Sequence, residues 1–479
     1  MRIRQIRDAL LKTPVGLLGL LSLSAQVVLS VWVVASYPDD FGNRVWSNPI
    51  HWVDNPKAAP PAWIRRVDSQ PRADHWQAVR GEPETVEEKG RNLIASWNIP
   101  YTMEPEAVPA FLALTVRDVR FEERAPLLAL TLIRPDETRV SVLRHAVRGP
   151  REGEEGPYAR HFDDPLRIQL SADESTLSSL QEFLAEEYGL QMDAEEIRPR
   201  VMDILFGVPD AAGDGFAPMS GEYTFLFQTA TRAEGDGIGS VELVAGGDAF
   251  GRMGTDSIGR DLAQGLLYGL PTALVIGVVV ALLSTSIGTV LGMTSGYLGG
   301  TVDTVIQRLS DIVANIPVLP LLIFLLFIIG PNLTVIIGIL IAFSWPGLAI
   351  QVRVMVLHMR SSQLIEAVQS LGSSRWRVMY RHILPQIMPY FLAQIIFTAP
   401  SAILAEAGLS FLGLGDPSIP TWGQILEAGF RTGGVYVGYW WWIVPPGLLI
   451  VMVASTFMLL SLAIEPVVNP RLRQTRRAD

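Results

Sequence analysis

The sequence predicts a mainly α-helical protein of six transmembrane helices, with a large α+β domain inserted between the first and second helices. Of its 479 residues, 49% are hydrophobic, a share too high and too unevenly spread for an ordinary soluble protein. The charge is also uneven, at −16 over residues 37–250 and +6 over the remainder. Six apolar stretches are long enough to cross a bilayer, for which a helix needs about 20 residues. An acidic block therefore interrupts a lipid-compatible chain.

The first apolar stretch is longer than the hydrophobic core of a signal peptide, which runs to about 15 residues. It follows four basic residues, and no clear small-residue cleavage site follows it. We therefore expect a retained membrane anchor rather than a cleaved signal. The six expected spans are residues 14–37, 270–297, 312–329, 333–352, 387–404 and 440–464.

Basic residues in short loops predict the orientation, because Lys and Arg near span ends tend to stay in the cytoplasm. They cluster at the N-terminus, after the fourth span and in the tail, where Arg471, Arg473, Arg476 and Arg477 lie. We expect a multi-pass protein of the cell membrane with both termini cytoplasmic. The expected domains are a cytoplasmic N-terminus (1–13), the first span (14–37), an extracytoplasmic domain (38–250), a five-span core (251–467) and a cytoplasmic tail (468–479).

The acidic block carries the signals of an α+β domain. Segments such as "APLLALTLIRP" and "GEYTFLFQTATR" are rich in strand-forming residues and are bounded by turn residues. Leu177, Leu180 and Leu184 recur on one helical face, and Asp193 with Glu196 resembles a capping box. The proline-rich stretch at residues 48–66 is interpreted as an extended linker anchored by its tryptophans. Capture of a peptide by those aromatic residues is the alternative.

A short amphipathic segment follows the fourth span, in "QLIEAVQSLGSSRWRVMYRHILPQIMP". Leu364, Val368 and Leu371 are spaced to share one helical face, and Gly372 permits a sharp turn. Ser373 or Ser374 is placed to cap the next helix. The pattern predicts a cytoplasmic helix-turn-helix, and its apolar face without lipid predicts a groove on another protein as its destination.

This segment resembles the coupling loop of ABC-importer permeases. The resemblance rests on Glu366, Ala367, Gly372, Ile383, Leu384 and Pro385, with Val368 standing in place of a third alanine. Three further stretches are similar to the dipeptide, oligopeptide and nickel permeases: "SGYLGGTVDTVIQRLSDIVANIP", "LSFLGLGDPSIPTWGQIL" and the one before the second span. The last contains Gly254, Thr255, Asp256, Gly259, Arg260 and Asp261. The similarity covers the first span and about residues 250–470.

The resemblance implies a six-helix permease of the type I importer fold, and it implies partners. These are a second homologous permease, two ABC ATPases, an extracytoplasmic solute-binding protein and the lipid bilayer. The loop at residues 363–376 would dock on an ATPase, so that ATP-driven closure switches the pathway. By resemblance, the docking residues are Leu364, Glu366, Ala367, Val368, Leu371, Gly372 and Ser373, with Pro385 at the return to the membrane.

Several functions find no support in the residues. The chain has no cysteine, and its histidines lack metal-binding spacing. Its lysines are Lys12, Lys57 and Lys89, none of which stands in a phosphate-binding loop. We expect no catalytic residue, cofactor or metal in this chain, with ATP and Mg²⁺ held by the partner ATPases. We also expect no nucleic-acid partner.

Polar residues within or near spans are candidates for the pathway, because they are costly in lipid; helix–helix hydrogen bonding is the alternative. They are Asn315, Ser344, Gln394, Thr398 and Ser401. An outer loop at residues 406–439, with Asp416, Pro417 and Trp422, is expected to meet the binding protein or cap the pathway. The expected cargo is peptide, with oligosaccharide as the alternative. A membrane-anchored receptor and an ATP-independent channel or carrier are the rival classes.

Overall fold

The computed structural model describes residues 2–68, 71–105, 107–210, 215–233 and 235–468, so the predicted basic tail from residue 469 onward lies outside it. The chain divides into two compact units. We call Met1–Asn48 together with Ala263–Asp479 the helical unit, and Pro49–Leu262 the β-rich unit.

The helical unit begins with two helices separated by Thr13. These are α1 (Arg2–Lys12) and α2 (Pro14–Ser36). The Thr13 hydroxyl donates to the Ala9 carbonyl at 2.6 Å and accepts from the Gly16 amide at 3.1 Å, which caps α2. Pro14 occupies the first helical position, where its missing N–H costs nothing. The first predicted span is therefore a 23-residue apolar helix with a defined start.

The β-rich unit contains thirteen strands and three short α-helices among its described residues. The strands are β1 (Trp76–Arg80), β2 (Thr85–Lys89), β3 (Asn92–Met103), β4 (Phe111–Arg117), β5 (Val119–Phe121), β6 (Leu127–Ile133), β7 (Arg139–Ala146), β8 (Tyr158–Arg160), β9 (Leu166–Gln169), β10 (Gly207–Pro209), β11 (Phe216–Pro218), β12 (Gly221–Thr231) and β13 (Ser240–Gly246). The helices are α3 (Glu174–Tyr188), α4 (Ala194–Ile197) and α5 (Val201–Phe206).

The strands form two larger antiparallel sheets. One has the order β2-β3-β12-β6-β7 and the other β1-β13-β4-β9, while β5 pairs with β8 and β10 with β11. Strand β12 shows the alternation that one buried face requires, with Tyr223, Phe225 and Phe227 buried and the residues between them partly exposed. Helix α3 packs on β7.

The predicted helical features of this unit are present. Leu177, Leu180 and Leu184 of α3 are buried in the core, and Gly189 ends the helix in the left-handed conformation, with φ of 65°. Asp193 and Glu196 form the capping box that their spacing predicts. The unit thus has its own hydrophobic core, built from strands of both sheets and from α3, α4 and α5.

The helical unit continues with eleven helices among its described residues. They are α6 (Leu262–Leu298), α7 (Gly300–Asn315), α8 (Val318–Ile329), α9 (Leu333–Ser344), α10 (Pro346–Arg360), α11 (Gln363–Ser370), α12 (Arg375–Val378), α13 (Leu384–Leu409), α14 (Trp422–Arg431), α15 (Gly434–Val437) and α16 (Trp440–Val468). In the part of the chain that the structure describes, five helical segments are long and apolar enough to cross a membrane: Pro14–Ser36, Leu262–Leu298, Leu333–Arg360, Arg375–Leu414 and Trp440–Val467. A sixth crossing exists if a bent pair counts as one span.

That bent pair corrects the third predicted span. We expected a continuous helix over residues 312–329, but α7 and α8 meet at an angle of 78°. Ile316 is extended, with φ of −73° and ψ of 127°, as residues before proline tend to be, and Pro317 has no N–H to continue the helical ladder. The 12 residues of α8 rise about 18 Å, less than the hydrocarbon thickness. The bent pair is therefore a broken span or a re-entrant segment, and not a continuous helix.

Three glycines let α6 and α10 pack closely. A side chain at Gly288 would meet the Trp345 carbonyl at 2.8 Å, and one at Gly296 would meet the Arg353 carbonyl at 2.8 Å. Gly292 lies between them and is closest of all to the partner backbone, at the Ala349 carbonyl. Their spacing of four residues places all three on one face, the small-residue arrangement that brings membrane helices together. The start of α10 is thereby fixed against α6.

Candidate functional site

The segment predicted to dock on a partner, residues 363–376, is a helix-turn-helix. We call it the coupling segment. Helix α11 ends at Ser370, and Gly372 then adopts a φ of 77°, a left-handed conformation that favours glycine. Ser374, rather than Ser373, caps α12 by accepting from the Arg377 amide at 3.4 Å. The predicted turn is therefore present, with its cap assigned to one of the two candidate serines.

The inner face of the coupling segment is anchored in the helical unit. Ile365 is fully buried, and Val378 and Ile383 are buried with it. The cluster that receives them belongs to α6, α10 and α13 and includes Met293, Tyr297, Val352, Val356 and Ile387. In addition, the Gln369 amide donates to the Tyr297 hydroxyl at 3.1 Å. A displacement of the coupling segment would therefore be carried directly into three long helices.

The outer face is exposed and apolar, and it corrects one detail of the prediction. Leu364, Val368 and Leu371 were expected to share one face, but Val368 packs partly against the buried cluster while Leu364 and Leu371 are exposed, Leu371 by 85%. Successive helical residues point about 100° apart, so Ile365 takes the inward position that we did not assign. Trp376 lies within the predicted docking range but was not named among its residues, and it is 62% exposed and stacks on Tyr380.

The remaining predicted coupling residues lie at or near this surface. Glu366, Ala367 and Gly372 are exposed, and Ser373 is half-buried. Pro385 is also exposed and occupies the start of α13, where its missing N–H is tolerated. The exposed surface of the segment therefore combines the apolar Leu364, Leu371 and Trp376 with small residues and one acidic residue, Glu366. Such an apolar outer face is suited to a groove on another protein.

The motif before the second predicted span lies in the β-rich unit, with Gly254, Thr255, Asp256 and Gly259 buried and Arg260 and Asp261 half-buried. Thr255 donates through its hydroxyl to the Pro56 carbonyl at 2.7 Å and accepts from the Ala59 amide at 2.9 Å. Asp256 is fully buried and accepts from the amides of Ile258 (3.0 Å) and Arg260 (2.9 Å), and from the Arg260 guanidinium. The motif therefore folds on itself through hydrogen bonds.

The same motif also binds the proline-rich stretch that was interpreted as a linker. Backbone hydrogen bonds of 2.7 to 2.9 Å join residues 58–62 to residues 250–256. A side chain at Gly259, whose φ is 91°, would meet the Trp52 carbonyl at 2.7 Å. Gly254 also has a positive φ, of 75°, and Asp261 bridges back to Thr255. This stretch is thus an ordered part of the β-rich unit.

The predicted outer loop at residues 406–439 is largely helical. Glu406 belongs to α13, and α14 and α15 occupy much of the remainder. Asp416 accepts from the Ser418 amide at 3.0 Å and from the Leu333 amide at 3.3 Å, and the neighbouring Pro417 is exposed. Trp422 is only 3% exposed, and its indole donates to the Leu266 carbonyl at 2.8 Å. Trp422 therefore has a packing role, and Pro417 is available at the surface.

The predicted pathway residues lie on three helices. Gln394, Thr398 and Ser401 follow one another at spacings of four and three on α13, and they are half-buried or exposed. Asn315 of α7 and Ser344 of α9 are exposed and donate to carbonyls of their own helices, at 2.7 and 2.5 Å. The α13 residues thus form a polar stripe on a membrane helix.

Among the described residues, no cluster of three or more His, Cys, Asp or Glu side chains is arranged to hold a metal ion.

Apolar helices that cross the membrane in series, together with an anchored helix-turn-helix, define a multi-pass membrane protein of the permease class. Residues 288–474 match the family of binding-protein-dependent transport system inner membrane components. The chain belongs to this family. It is 33% identical over 223 residues to the dipeptide transport system permease protein DppC of Bacillus subtilis, a match that covers 46% of this chain and 69% of the relative.

Two further relatives show how far the similarity extends. A putative peptide transport system permease protein of Brucella suis biovar 1 is 35% identical over 222 residues, which are 46% of this chain and 74% of the relative. The peptidoglycan transport system permease protein YejE of Agrobacterium fabrum is 33% identical over 178 residues, 37% of this chain and 47% of the relative. The chain thus spans between about half and three quarters of these relatives, and over half of its own length lies outside each match.

Proposed function

We propose that this chain is a permease subunit of an ATP-driven importer and forms half of the pathway for peptides delivered by an extracytoplasmic binding protein. The coupling segment carries this proposal, because its inner face is held by α6, α10 and α13 while Leu364, Leu371 and Trp376 remain exposed. A second homologous permease would supply the other half of the pathway. ATP and Mg²⁺ would be bound by two partner ATPases.

The coupling step follows from this anchoring. A groove on each ATPase would receive the exposed face of the coupling segment, as grooves receive the apolar faces of short helices. When ATP closes the ATPases, the segment moves, and Ile365 passes the movement to the buried cluster of α6, α10 and α13. ATP would thereby favour one of two states of the pathway by binding at a distant site.

The proposed topology has six crossings, with α7 and α8 counted as one. Arg353, Arg360, Arg375, Arg377 and Arg381 surround the coupling segment and favour a cytoplasmic location for it. Both termini would then be cytoplasmic, and the β-rich unit would lie outside. Because the chain has no cysteine, single cysteines at Ser373 and at the 95% exposed Tyr436 can be labelled without background. An impermeant reagent applied to intact cells should label the second and spare the first.

The names of the relatives favour peptide cargo over oligosaccharide. They describe transport of dipeptides, oligopeptides, glutathione and peptidoglycan. In this chain, Gln394, Thr398 and Ser401 present neutral hydrogen-bonding groups along α13, which suit a zwitterionic or neutral cargo. We place this stripe on the pathway, facing the second permease. Competition of unlabelled peptides and oligosaccharides for uptake would separate the two cargo classes.

The β-rich unit is proposed to dock the binding protein or to pack on the partner permease. Its separate core and its ordered proline-rich stretch favour a rigid docking body over a flexible loop. Replacement of residues 71–247 by a short linker would retain the segments that pair at residues 58–62 and 250–256. Loss of binding-protein-stimulated ATP hydrolysis is the expected result. Unchanged assembly, docking and transport would refute this role.

The function is tested by substitution on the outer face of the coupling segment. Leu371→Asp places a charge where an apolar groove is expected, without disturbing the buried Ile365. We expect at least a tenfold loss of ATPase subunits copurified with the complex and of uptake, at unchanged expression. Leu11→Asp is the matched control, because Leu11 is also exposed and lies near the N-terminus. Equal recovery of the ATPases with both variants would contradict the proposal.

A further inference from the structure

A groove of about 330 Å³ lies in the helical unit beside the end of α2. Its walls come from three helices, with Val34 of α2, Val275 of α6 and Leu333 of α9 among the lining residues. The lining is mostly apolar, and its polar side chains are Tyr37 and Asp39, where α2 ends, with Tyr268 and Thr272 on the facing part of α6. The Thr272 hydroxyl donates to the Tyr268 carbonyl of its own helix at 3.4 Å. The groove therefore has an apolar body and a polar mouth.

The groove opens on the apolar outer surface of α2. Val34 is 61% exposed and Val275 is 56% exposed. Val27, Val31 and Val34 recur at helical spacing and are all exposed, so the groove continues a stripe along α2. Because α2 is long and apolar enough to cross the membrane, such a stripe faces lipid chains. Lipid can therefore enter the groove sideways.

An apolar recess in a bilayer is filled by hydrocarbon, since an empty one forfeits the dispersion contacts of its walls and water finds few partners there. The aromatic rings at its mouth match the level of lipid headgroups: Tyr268 lies 4.9 Å from Phe41 and 6.1 Å from Tyr37 between ring centroids. The groove thus has the apolar depth and the interfacial mouth of a site for one lipid chain and its headgroup.

The charge at the mouth selects the headgroup. Asp40 pairs with Arg44 at 2.6 Å, whereas Asp39 is exposed and has no ion-pair partner among the residues that the structure describes. A carboxylate in this position favours an ammonium group that can donate hydrogen bonds. A trimethylammonium group donates none, and an anionic headgroup is repelled.

We propose that the groove binds one phosphatidylethanolamine molecule, with an acyl chain between Val34, Val275 and Leu333 and the primary ammonium group at Asp39. This lipid site is independent of the proposed transport function. It would join the end of the first span to α6 and α9 through a bound lipid. Phosphatidylethanolamine should be retained in preference to phosphatidylcholine, and phosphatidylcholine in preference to phosphatidylglycerol, when all three have the same chains.

The headgroup is tested by native mass spectrometry of the delipidated full complex, titrated with each of these lipids. We expect about a threefold preference for phosphatidylethanolamine over phosphatidylcholine, the size expected of one exposed ion pair. Asp39→Asn should abolish this preference. Asp311→Asn removes an equal charge outside the groove lining and should leave the preference unchanged. Equal retention of the three lipids by the unmodified complex would overturn the proposal.

The groove itself is tested by filling it. Val275→Trp should reduce the number of retained lipids by one, whereas Val290→Trp, at a similarly exposed site on the same helix outside the lining, should not. If Val275→Trp lowered recovery of the partner permease and left lipid retention unchanged, protein rather than lipid would cover the groove. That result would also overturn the proposal. The Asp39→Asn arm decides the matter if Val275→Trp fails to fold.

Discussion

Arg353 and Asp303 form a bidentate ion pair, with Nε 2.5 Å from Oδ1 and Nη2 2.6 Å from Oδ2. The Ser295 hydroxyl donates to the same carboxylate at 2.5 Å, and the Gln307 amide donates to Ser295 at 3.1 Å. Arg353 belongs to α10, which ends at Arg360, shortly before the coupling segment. The pair therefore ties the helix that leads into the coupling segment to α7, the first helix of the bent pair.

Loss of either partner should destabilise the helical unit, because both side chains are partly buried, with exposed fractions of 27% for Arg353 and 18% for Asp303, and the remaining charge loses its counterion. We expect Asp303→Asn and Arg353→Gln each to lower the free energy of unfolding by roughly 1.5 to 3 kcal/mol. Thermal unfolding of the complex in nanodiscs measures this loss of stability. The exchanged pair Asp303→Arg with Arg353→Asp should recover part of the loss. If the exchanged double variant instead lost as much free energy of unfolding as the two single variants together, the two residues would not act as a pair.

Gly372→Ala should weaken the coupling segment through its backbone alone. No atom lies within 4 Å of the added Cβ, so the cost is that of a left-handed residue, about 1 to 2 kcal/mol. We expect reduced recovery of ATPase subunits from the purified complex. Gly347→Ala is the matched control, because its added Cβ also meets open space but the residue lies in α10. Equal recovery of ATPase subunits with both variants would be evidence that ATPase binding does not require the turn at Gly372.

Gly292→Ala should separate α6 from α10, because the added Cβ collides with the Ala349 carbonyl, which is backbone and cannot rotate away. Overpacking of this kind typically costs about 1 to 3 kcal/mol. The midpoint of thermal unfolding in nanodiscs should fall. Gly338→Ala on α9 meets no atom within 4 Å and should leave the midpoint unchanged. A Gly292→Ala variant as stable as Gly338→Ala would mean that the helices are not in close contact.

The stability of the β-rich unit should fall at mildly acidic pH because of His75. Burial lowers the pKa of His75 below its ordinary value of 6.5, against the weaker opposing effect of the Asp54 carboxylate. His75 is therefore protonated more readily in the unfolded chain than in the folded one. The stability that neutral His75 contributes is complete above about pH 6.5 and is lost as the pH falls toward the lowered pKa.

His75→Phe should remove this dependence and keep a ring beside Phe250, whose centroid lies 5.1 Å from that of the imidazole. Hydrogen exchange of the full chain between pH 5 and 8 measures the effect. Burial also raises the pKa of Asp248, which acts in the opposite sense, so the difference between the two proteins isolates His75. Parallel stability profiles for both proteins would rule out His75 as the source.

Much of the architecture could be predicted because its signals are local. The long apolar segments, the helix ending at Gly189, the Asp193 capping box and the turn at Gly372 each depend on a few consecutive residues. The break at Pro317 was missed, because hydropathy does not respond to a missing backbone donor. Pro317 itself, which lies inside the predicted span at residues 312–329, was the available signal.

Features that depend on distant residues could not be predicted. Asp303 and Arg353 are 50 residues apart, and no spacing rule pairs them. The proline-rich stretch was interpreted as a linker because its hydrogen-bond partners, at residues 250–256, lie nearly 200 positions away. Trp422 was interpreted as part of an outer docking loop, but its partner is the Leu266 carbonyl. On a helix of only eight residues, helical periodicity alone also failed to show that Ile365 is buried and Leu364 exposed.

The central claim is that the coupling segment seats in an ATPase groove. Leu371→Cys in the otherwise cysteine-free chain, combined with single cysteines placed along the ATPase surface, tests it most directly. If the coupling segment seats in this groove, a specific disulfide forms in the assembled importer, with a yield that changes when ATP is added. The claim would be contradicted if the cysteine introduced by Leu371→Cys reacted freely with a thiol reagent in the assembled importer and never formed a disulfide with an ATPase, with or without ATP.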